Sequence, residues 1–280
     1  MNLRYISIVV LTLISCQPKE QGSIDATEDK VYSIEASADA LNNLPDNMAG
    51  EVVKQAIERA GGWNSWKNKE NFSFYKKITH LDSLGNEEKS VRQHHLYQLK
   101  GTFKARMEWT IGDDSYLIIN DGEQAKKYQN GVELTDLNSK NEAWNSSYGS
   151  HYVIGMPYKL TDPGATLTYE GIDSTLLDVP VHAVKVEYAK GAGSTGGMHL
   201  WYYYFDIDNY DLVGNFLDYG EGYAVTTYEV FENVGNHRIH NKRFSYISNK
   251  DKERLVLRTV YENKELKFDQ QLDEDAFKLK

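Results

Sequence analysis

The chain has 280 residues, 40% of them hydrophobic and 26% charged, and its 41 acidic and 31 basic side chains give a net charge of −10. This is the composition of a soluble globular protein long enough to bury a core without a disulfide or metal. The acidic balance argues against a nucleic-acid partner held through its phosphates and against an anionic lipid held by electrostatics. The 20 tyrosines favour strands over a helical bundle.

The first 16 residues have the pattern of an export signal. Arg4 precedes an apolar run, Tyr5 to Ile14, that is too short to cross a bilayer, as is typical of a signal peptide over residues 1–15. The run ends in Leu13-Ile14-Ser15-Cys16, which resembles the lipobox of bacterial lipoproteins. The resemblance implies cleavage before Cys16, lipidation of its thiol, and attachment to a membrane through acyl chains.

The residue after Cys16 and the polar stretch beyond it predict where the protein sits. Cys16 is the only cysteine, so an exported form has no possible intramolecular disulfide. Gln17 stands where lipoproteins retained in the inner membrane typically carry Asp, so the resemblance implies the outer membrane, facing the periplasm or the cell surface. Residues 16–44 form the lipidated cysteine and a polar tether, of which residues 38–44 could dock locally.

A folded domain is predicted from Pro45 to Lys280. Asp46 is a candidate cap for a helix that ends at Gly61-Gly62, and the next residues, Trp63 and Trp66, suggest a second short helix. The apolar residues of the first helix recur at helical spacing: Met48, Val52, Ala56, Ile57 and Ala60.

After Asn71 the apolar pattern changes to a period of two, which predicts strands joined by short turns, an antiparallel meander. The clearest strand is Lys104 to Ile111, and Asn138 to Tyr148 is the one interior stretch with helical character. The other predicted strands are Phe72–Leu81, Val91–Leu99, Ser115–Asn120, His182–Tyr188, Leu200–Ile207, Leu212–Tyr219, Ala224–Phe231, Arg238–Ile247 and Leu255–Tyr261.

Two consecutive predicted strands are unusual. Leu200 to Phe205 is bulky on both faces, so it should be central in the sheet or line a cavity. Gly214 interrupts the next strand, as expected at a bulge or where a ring packs onto bare backbone.

Several local sequence motifs are only weak evidence for a binding site. Gly191 to Gly196 matches a dinucleotide-binding fingerprint but precedes a strand rather than a helix, so a glycine-rich hairpin loop is the better interpretation. Asp206, Asp208 and Asp211 lack the remaining ligands of a calcium loop. His94 and His95 lie on opposite faces of one strand. A metal site assembled across strands stays open, and its candidate ligands are His80, His94, His182 and His199.

The lipobox, the tether, the helix that ends in Ala60-Gly61-Gly62 before Trp66, and the long meander together resemble the LolA/LolB-like superfamily of bacterial lipoprotein carriers. The strand pair Trp201 to Phe216 resembles paired strands found late in those chains. The resemblance spans residues 45–280 and implies a mainly β fold, an incomplete, curved barrel with an N-terminal helix and one or two short helices packed in or on it. The chain is longer than the known carriers, and no membrane-inserting loop is matched, which suggests an uncharacterised branch.

What the resemblance implies is binding, without catalysis and without a cofactor. The ligand is expected to be hydrophobic or amphiphilic, a lipid or an acylated protein, held by a monomer. The predicted cavity wall consists of Trp109, Trp201, Tyr203, Phe205 and Phe216. These rings could instead fill a solid core.

Two other functions stay open. The first is a cell-surface module that binds glycans or proteins through exposed rings on loops. The second is a hydrolase, although no local sequence motif supports this function.

Overall fold

The computed structural model of the protein describes residues 40–174 and 176–280. The predicted signal peptide, Cys16 and nearly all of the predicted tether lie outside the described residues. The described residues fall within one compact unit, Val31–Lys280.

The helices of the described residues are few and lie mainly at the start and middle of the domain. They are α1 (Met48–Arg59), α2 (Trp63–Trp66) and α3 (Leu137–Ile154), with 3-10 helices at Ala40–Asn43 and Tyr158–Thr161. The first 3-10 helix contacts the second, and Asn43 donates a hydrogen bond to the carbonyl of Thr161 at 2.9 Å.

Thirteen strands of the described residues form one sheet. They are β1 (Asn71–Leu81), β2 (Glu87–Gln98), β3 (Lys104–Ile111), β4 (Asp114–Asn120), β5 (Ala125–Gln129), β6 (Val132–Leu134), β7 (Ala165–Asp173), β8 (Val181–Tyr188), β9 (Leu200–Asp206), β10 (Leu212–Asp218), β11 (Tyr223–Val234), β12 (His237–Ser248) and β13 (Arg254–Phe268). Their order is β6-β5-β4-β3-β2-β1-β13-β12-β11-β10-β9-β8-β7.

The predicted fold class, a mainly β protein with a curved, open antiparallel sheet and few helices, is confirmed. All neighbours in the sheet follow one another in the chain except β1 and β13, whose pairing joins the two halves. The strands β6 and β7 are therefore the two edges, and α3 lies between them in the chain. The bulge expected near Gly214 is present as a register shift between β10 and β9.

The N-cap of helix α1 lies one residue after the predicted one. The expected cap, Asp46, is wrong: Asn47 has extended backbone angles and its side-chain oxygen accepts from Ala49 N at 2.9 Å and Gly50 N at 3.2 Å. The predicted stop is confirmed. Gly61 has φ +120°, and a Cβ there would lie 2.4 Å from the carbonyl oxygen of Asn236, so only glycine fits this end of the helix.

Three strands, β5, β6 and β7, are absent from the sequence prediction. The first two have only five and three residues, too few to show a period. The edge strand β7 is mostly polar and has one fully buried residue, Leu167.

The main core lies between the helices and one face of the sheet, called the concave face below. It joins residues of α1 and α3 with inward side chains of the central strands, among them Phe72, Tyr97 and Phe205. A smaller core on the opposite, convex face includes Tyr204, Phe216 and Leu176.

Candidate functional site

Burial along strands β1 and β2 falls from one end of the concave face to the other. On β1 the inward residues Phe72 and Phe74 are 0% and 1% exposed, Lys76 is 9% exposed, Ile78 is half-buried and His80 is exposed. Because neighbouring strands are antiparallel, the same change occurs in reverse along β2, from Tyr97 to half-buried positions near its start. The concave face therefore has a packed end and an open end.

The packed end is closed by aromatic rings around helix α2. Trp66 stacks on Tyr158, with ring centroids 4.3 Å apart, and meets Phe268 edge-on at 5.9 Å. His237 uses both ring nitrogens, toward the Ser65 hydroxyl at 3.0 Å and the Tyr158 hydroxyl at 3.1 Å. This end is a solid core.

The open end presents half-buried apolar and aromatic side chains from both halves of the sheet. On the concave face they are Ile78, Val91, Trp109, Tyr116, Leu217, Trp201 and Tyr261. A surface of this kind, recessed and only partly covered, is suited to hold the apolar part of a small molecule.

The five residues of the predicted wall separate into three groups. Trp201, Tyr203 and Phe205 share the concave side of β9: Tyr203 and Phe205 are 3% and 0% exposed, whereas Trp201 is half-buried and stacks on Tyr203 at 5.9 Å. Phe216 lies on the convex face in the core with Leu176. Trp109 stacks on Tyr116 at 5.4 Å at the open end. All five predicted residues lie in strands.

A buried basic cluster that sequence reasoning missed lies between the packed and open ends. We define it as Lys76 (β1), Tyr261 and Asn263 (β13), and His240 and Arg243 (β12). The Lys76 ammonium is 5.3 Å and the Arg243 guanidinium 4.6 Å from the centroid of the Tyr261 ring. These two cations belong to the strands on either side of β13 and are 9% and 7% exposed.

The surroundings of the basic cluster disfavour positive charge. Burial, and then the nearby Arg243 charge, lower the pKa of Lys76 to about 7. Burial first, and then Arg243 and Lys76, hold the pKa of His240 well below its ordinary value, so this ring is neutral near pH 7. Burial, with Lys76 and His94, does the same to His95 on β2.

A signal for the cluster is present in the sequence. Lys76 continues the inward series Phe72, Phe74, Lys76, Ile78, so alternation alone places its side chain on the apolar face. Adjacent Lys77 is on the other face and exposed, and the pair therefore resembles an ordinary surface cluster until the strand phase is considered.

A cleft of about 490 Å³ opens around β3 and β4, and the open-end residues Trp109 and Tyr116 contribute to its lining. Among its lining residues are Arg92 and Tyr75, whose guanidinium and ring are 4.2 Å apart, and Glu108. The side-chain hydrogen bonds with His94 and Arg106 lower the pKa of Glu108 to about 2. Arg92 and Glu108 each form an ion pair with another residue of the sheet.

Within residues 40–174 and 176–280, no cluster of histidine, cysteine or carboxylate side chains is arranged to hold a metal ion. The glycine-rich segment at Gly191 forms the loop between β8 and β9, as predicted. Asp211 accepts hydrogen bonds from Arg238 at 2.8 and 2.9 Å and from Arg59 at 3.0 Å. In the same described part of the chain, no helix has the length and apolar character needed to span a membrane.

No protein-family model matches the chain, and no curated protein matches it significantly. Solved structures match at the level of the fold. A LolA superfamily protein from Nitrosomonas europaea aligns with a TM-score of 0.56 at 12% identity, over 82% of this chain and 97% of that one. A DUF1329 family protein from Desulfovibrio piger aligns with a TM-score of 0.53 at 8% identity, over 82% and 97% of the two chains. The described domain therefore has a LolA-like fold.

Proposed function

We propose that this protein is a lipid-anchored envelope protein that binds a hydrophobic or amphiphilic molecule on the concave face of its sheet, without catalysing a reaction. The anchor is the lipidated Cys16, the membrane is the outer membrane, and the ligand is a lipid or an acylated partner. The binding surface is the open end of the concave face, where Trp201 and Trp109 would contact the apolar part of the ligand.

One observation carries this proposal: the inward side chains of the open end are apolar or aromatic but only half-buried. At the packed end, residues of the same kinds are enclosed by helices α1 and α2. An apolar side chain that remains accessible inside a curved sheet loses contact with water when a ligand covers it, which favours binding by about 25 cal/mol per Å².

The test uses the chain from Gln17 onward, which contains the whole compact unit of residues 31–280 and lacks the predicted anchor. Native and denaturing mass spectra of the purified protein would identify any molecule that copurifies. Titration with the fluorescent probe N-phenyl-1-naphthylamine then measures affinity. We expect Trp201→Ala to weaken probe binding by about tenfold, because one aromatic contact is lost.

Tyr202→Ala is the matched control. Tyr202 is also half-buried and lies on the same strand, but it contacts the convex core beside Phe216. We expect this variant to bind the probe as the unmodified protein does. Absence of binding by the unmodified protein, or equal weakening in both variants, would contradict the proposal.

A further inference from the structure

Two cations are buried in the basic cluster without an opposing charge. Neither Lys76 nor Arg243 forms an ion pair with a described residue, and Lys76 makes one polar contact, a long 3.3 Å hydrogen bond to the Ser150 hydroxyl of α3. Other charged groups of the concave side, such as Lys159 with Asp162, are paired. A buried cation that has no anion is unfavourable, which agrees with the lowered pKa of Lys76. An anion bound beside Lys76 and Arg243 would favour the charged form of both side chains.

Polar atoms around these cations also lack partners. The Arg243 Nε, the His240 Nε2 and the Asn263 Oδ1 atoms are fully buried and make no hydrogen bond. They belong to one contiguous group, since Asn263 donates to the His240 carbonyl at 3.4 Å and the His240 ring stacks on Tyr228 at 4.7 Å. Buried polar atoms are nearly always satisfied. The Arg243 Nε–H is a donor, and the His240 Nε2 is a donor in one tautomer, so both suit an anion, whereas the Asn263 Oδ1 can only accept and suits a proton-bearing oxygen of a headgroup.

The position of the basic cluster specifies the rest of the ligand. The next inward residue of β1 beyond Lys76 is Ile78, and Tyr261 pairs with Ile78 across the sheet. Both are half-buried at the open end. A molecule whose charge lies against Lys76 and Arg243 would therefore place its remaining atoms along apolar side chains that lead toward solvent.

From this geometry we infer that the basic cluster binds the anionic headgroup, a carboxylate or a phosphate, of a single-chain amphiphile whose apolar tail lies along the open end. The inference rests on the proposed function and adds the charge and the orientation of the ligand. Arg243 supplies charge-assisted hydrogen bonds, which are roughly twice as strong as neutral ones, and Lys76 supplies a second positive charge within the same enclosure.

The test compares ligands of matched chain length. Palmitate, hexadecyl phosphate and hexadecanol are titrated into the chain from Gln17 by calorimetry, with acetate and inorganic phosphate as headgroups without a tail. We expect at least one of the two anionic amphiphiles to bind at least about tenfold more tightly than hexadecanol. Acetate and inorganic phosphate should bind far more weakly, because they cover no apolar surface.

The variants assign that preference to residues. Lys76→Met and Arg243→Met should reduce the preferred amphiphile's affinity toward that of hexadecanol, whereas Arg243→Lys should keep part of the preference. Lys77→Met removes the adjacent, exposed charge and should change nothing. Thermal unfolding of each variant checks that it is folded. If Arg243→Met does not fold, the comparison is made with Lys76→Met alone.

The outcomes separate this inference from the proposed function. If hexadecanol and both anions bind equally in all folded variants, the headgroup site is wrong while hydrophobic binding stands. If no amphiphile binds, both proposals are wrong. If inorganic phosphate binds as tightly as hexadecyl phosphate, the cluster is a site for a free anion and the amphiphile is excluded.

Discussion

The packed end and the basic cluster both contain buried polar groups of the same sheet, but among the described residues the charged groups have partners of opposite charge only at the packed end. At the packed end Asp211 neutralises Arg59 and Arg238, and His237 has partners for both ring nitrogens. In the basic cluster Lys76 and Arg243 have no acid. Unpartnered polar atoms do not by themselves separate the two regions, because the Trp63 Nε1 atom of the packed end also has no hydrogen-bond partner in the described part of the chain. The difference is that the arginines of the packed end have an acid beside them, whereas the basic side chains of the cluster have none within residues 40–174 and 176–280.

The largest loss of stability should follow the removal of an aromatic ring from the packed end. Trp66→Ala removes a 7% exposed ring from its stack on Tyr158 and should destabilise the protein by about 3–5 kcal/mol. Trp201→Ala at the half-buried open end should cost less than half as much. Urea unfolding of both variants measures this difference, and equal losses would mean that the two ends do not differ in packing.

Removing the ion pairs of Asp211 should cause the next largest loss of stability. Asp211→Asn leaves two arginines without an anion and should cost about 2 kcal/mol at pH 7, a value reduced by the partial exposure of Arg59. Although burial raises it, hydrogen bonds from Arg238 and Arg59 bring the pKa of Asp211 below its ordinary value. Its stabilisation is therefore present above the unfolded-state pKa and lost as the pH falls through the folded-state pKa. Denaturation at pH 7 and pH 3 should show a smaller difference in stability between the two proteins at the acidic value.

Removing a charge from the basic cluster should raise the stability of the protein instead of lowering it. Lys76→Met replaces a buried, unpaired cation with an apolar side chain and should stabilise the ligand-free protein by about 1 kcal/mol at pH 7. The pKa of Lys76 is lowered to about 7 in the folded state, so from pH 7 to 10 the unfolded chain binds more protons and stability rises with pH. The charged and titratable groups around Lys76 are Arg243, His95, His240 and Tyr261.

The measurement is unfolding at several pH values with the ligand removed. The Lys76→Met variant should lose much of the rise in stability between pH 7 and 10. The matched variant, Lys77→Met, should stay within about 0.5 kcal/mol of the unmodified protein, as expected for an exposed side chain. A destabilised Lys76→Met variant would mean that Lys76 stabilises the fold, as Asp211 does at the packed end. The proposed difference between the two regions would then be wrong.

Much of the fold could be predicted from the sequence because the signals are local. The stop of α1 at Gly61-Gly62 and the alternation in β3 each depend on a few neighbouring residues, and both are confirmed. The short strands β5 and β6 could not be predicted, since pairing with the preceding strands stabilises them rather than a pattern of their own.

The binding surface was only partly predictable. Trp201 could be assigned to a candidate wall because aromatic bulk is visible in the sequence. The side of the sheet that Phe216 occupies was not visible, because the strand is apolar on both faces and only the segment containing Leu176 distinguishes the convex side. Arg243 has no local signal of burial.

By itself, the sequence determined an antiparallel meander and contained the inward phase of Lys76, because strand alternation acts over a few residues. Only the tertiary structure decided that β13 lies between β1 and β12. The pairing of β1 with β13 joins residues at least 179 positions apart, the separation of His80 and Thr259, which no periodicity specifies. It places Lys76 and Arg243 beside one tyrosine ring, and so converts two unrelated cations into one candidate site.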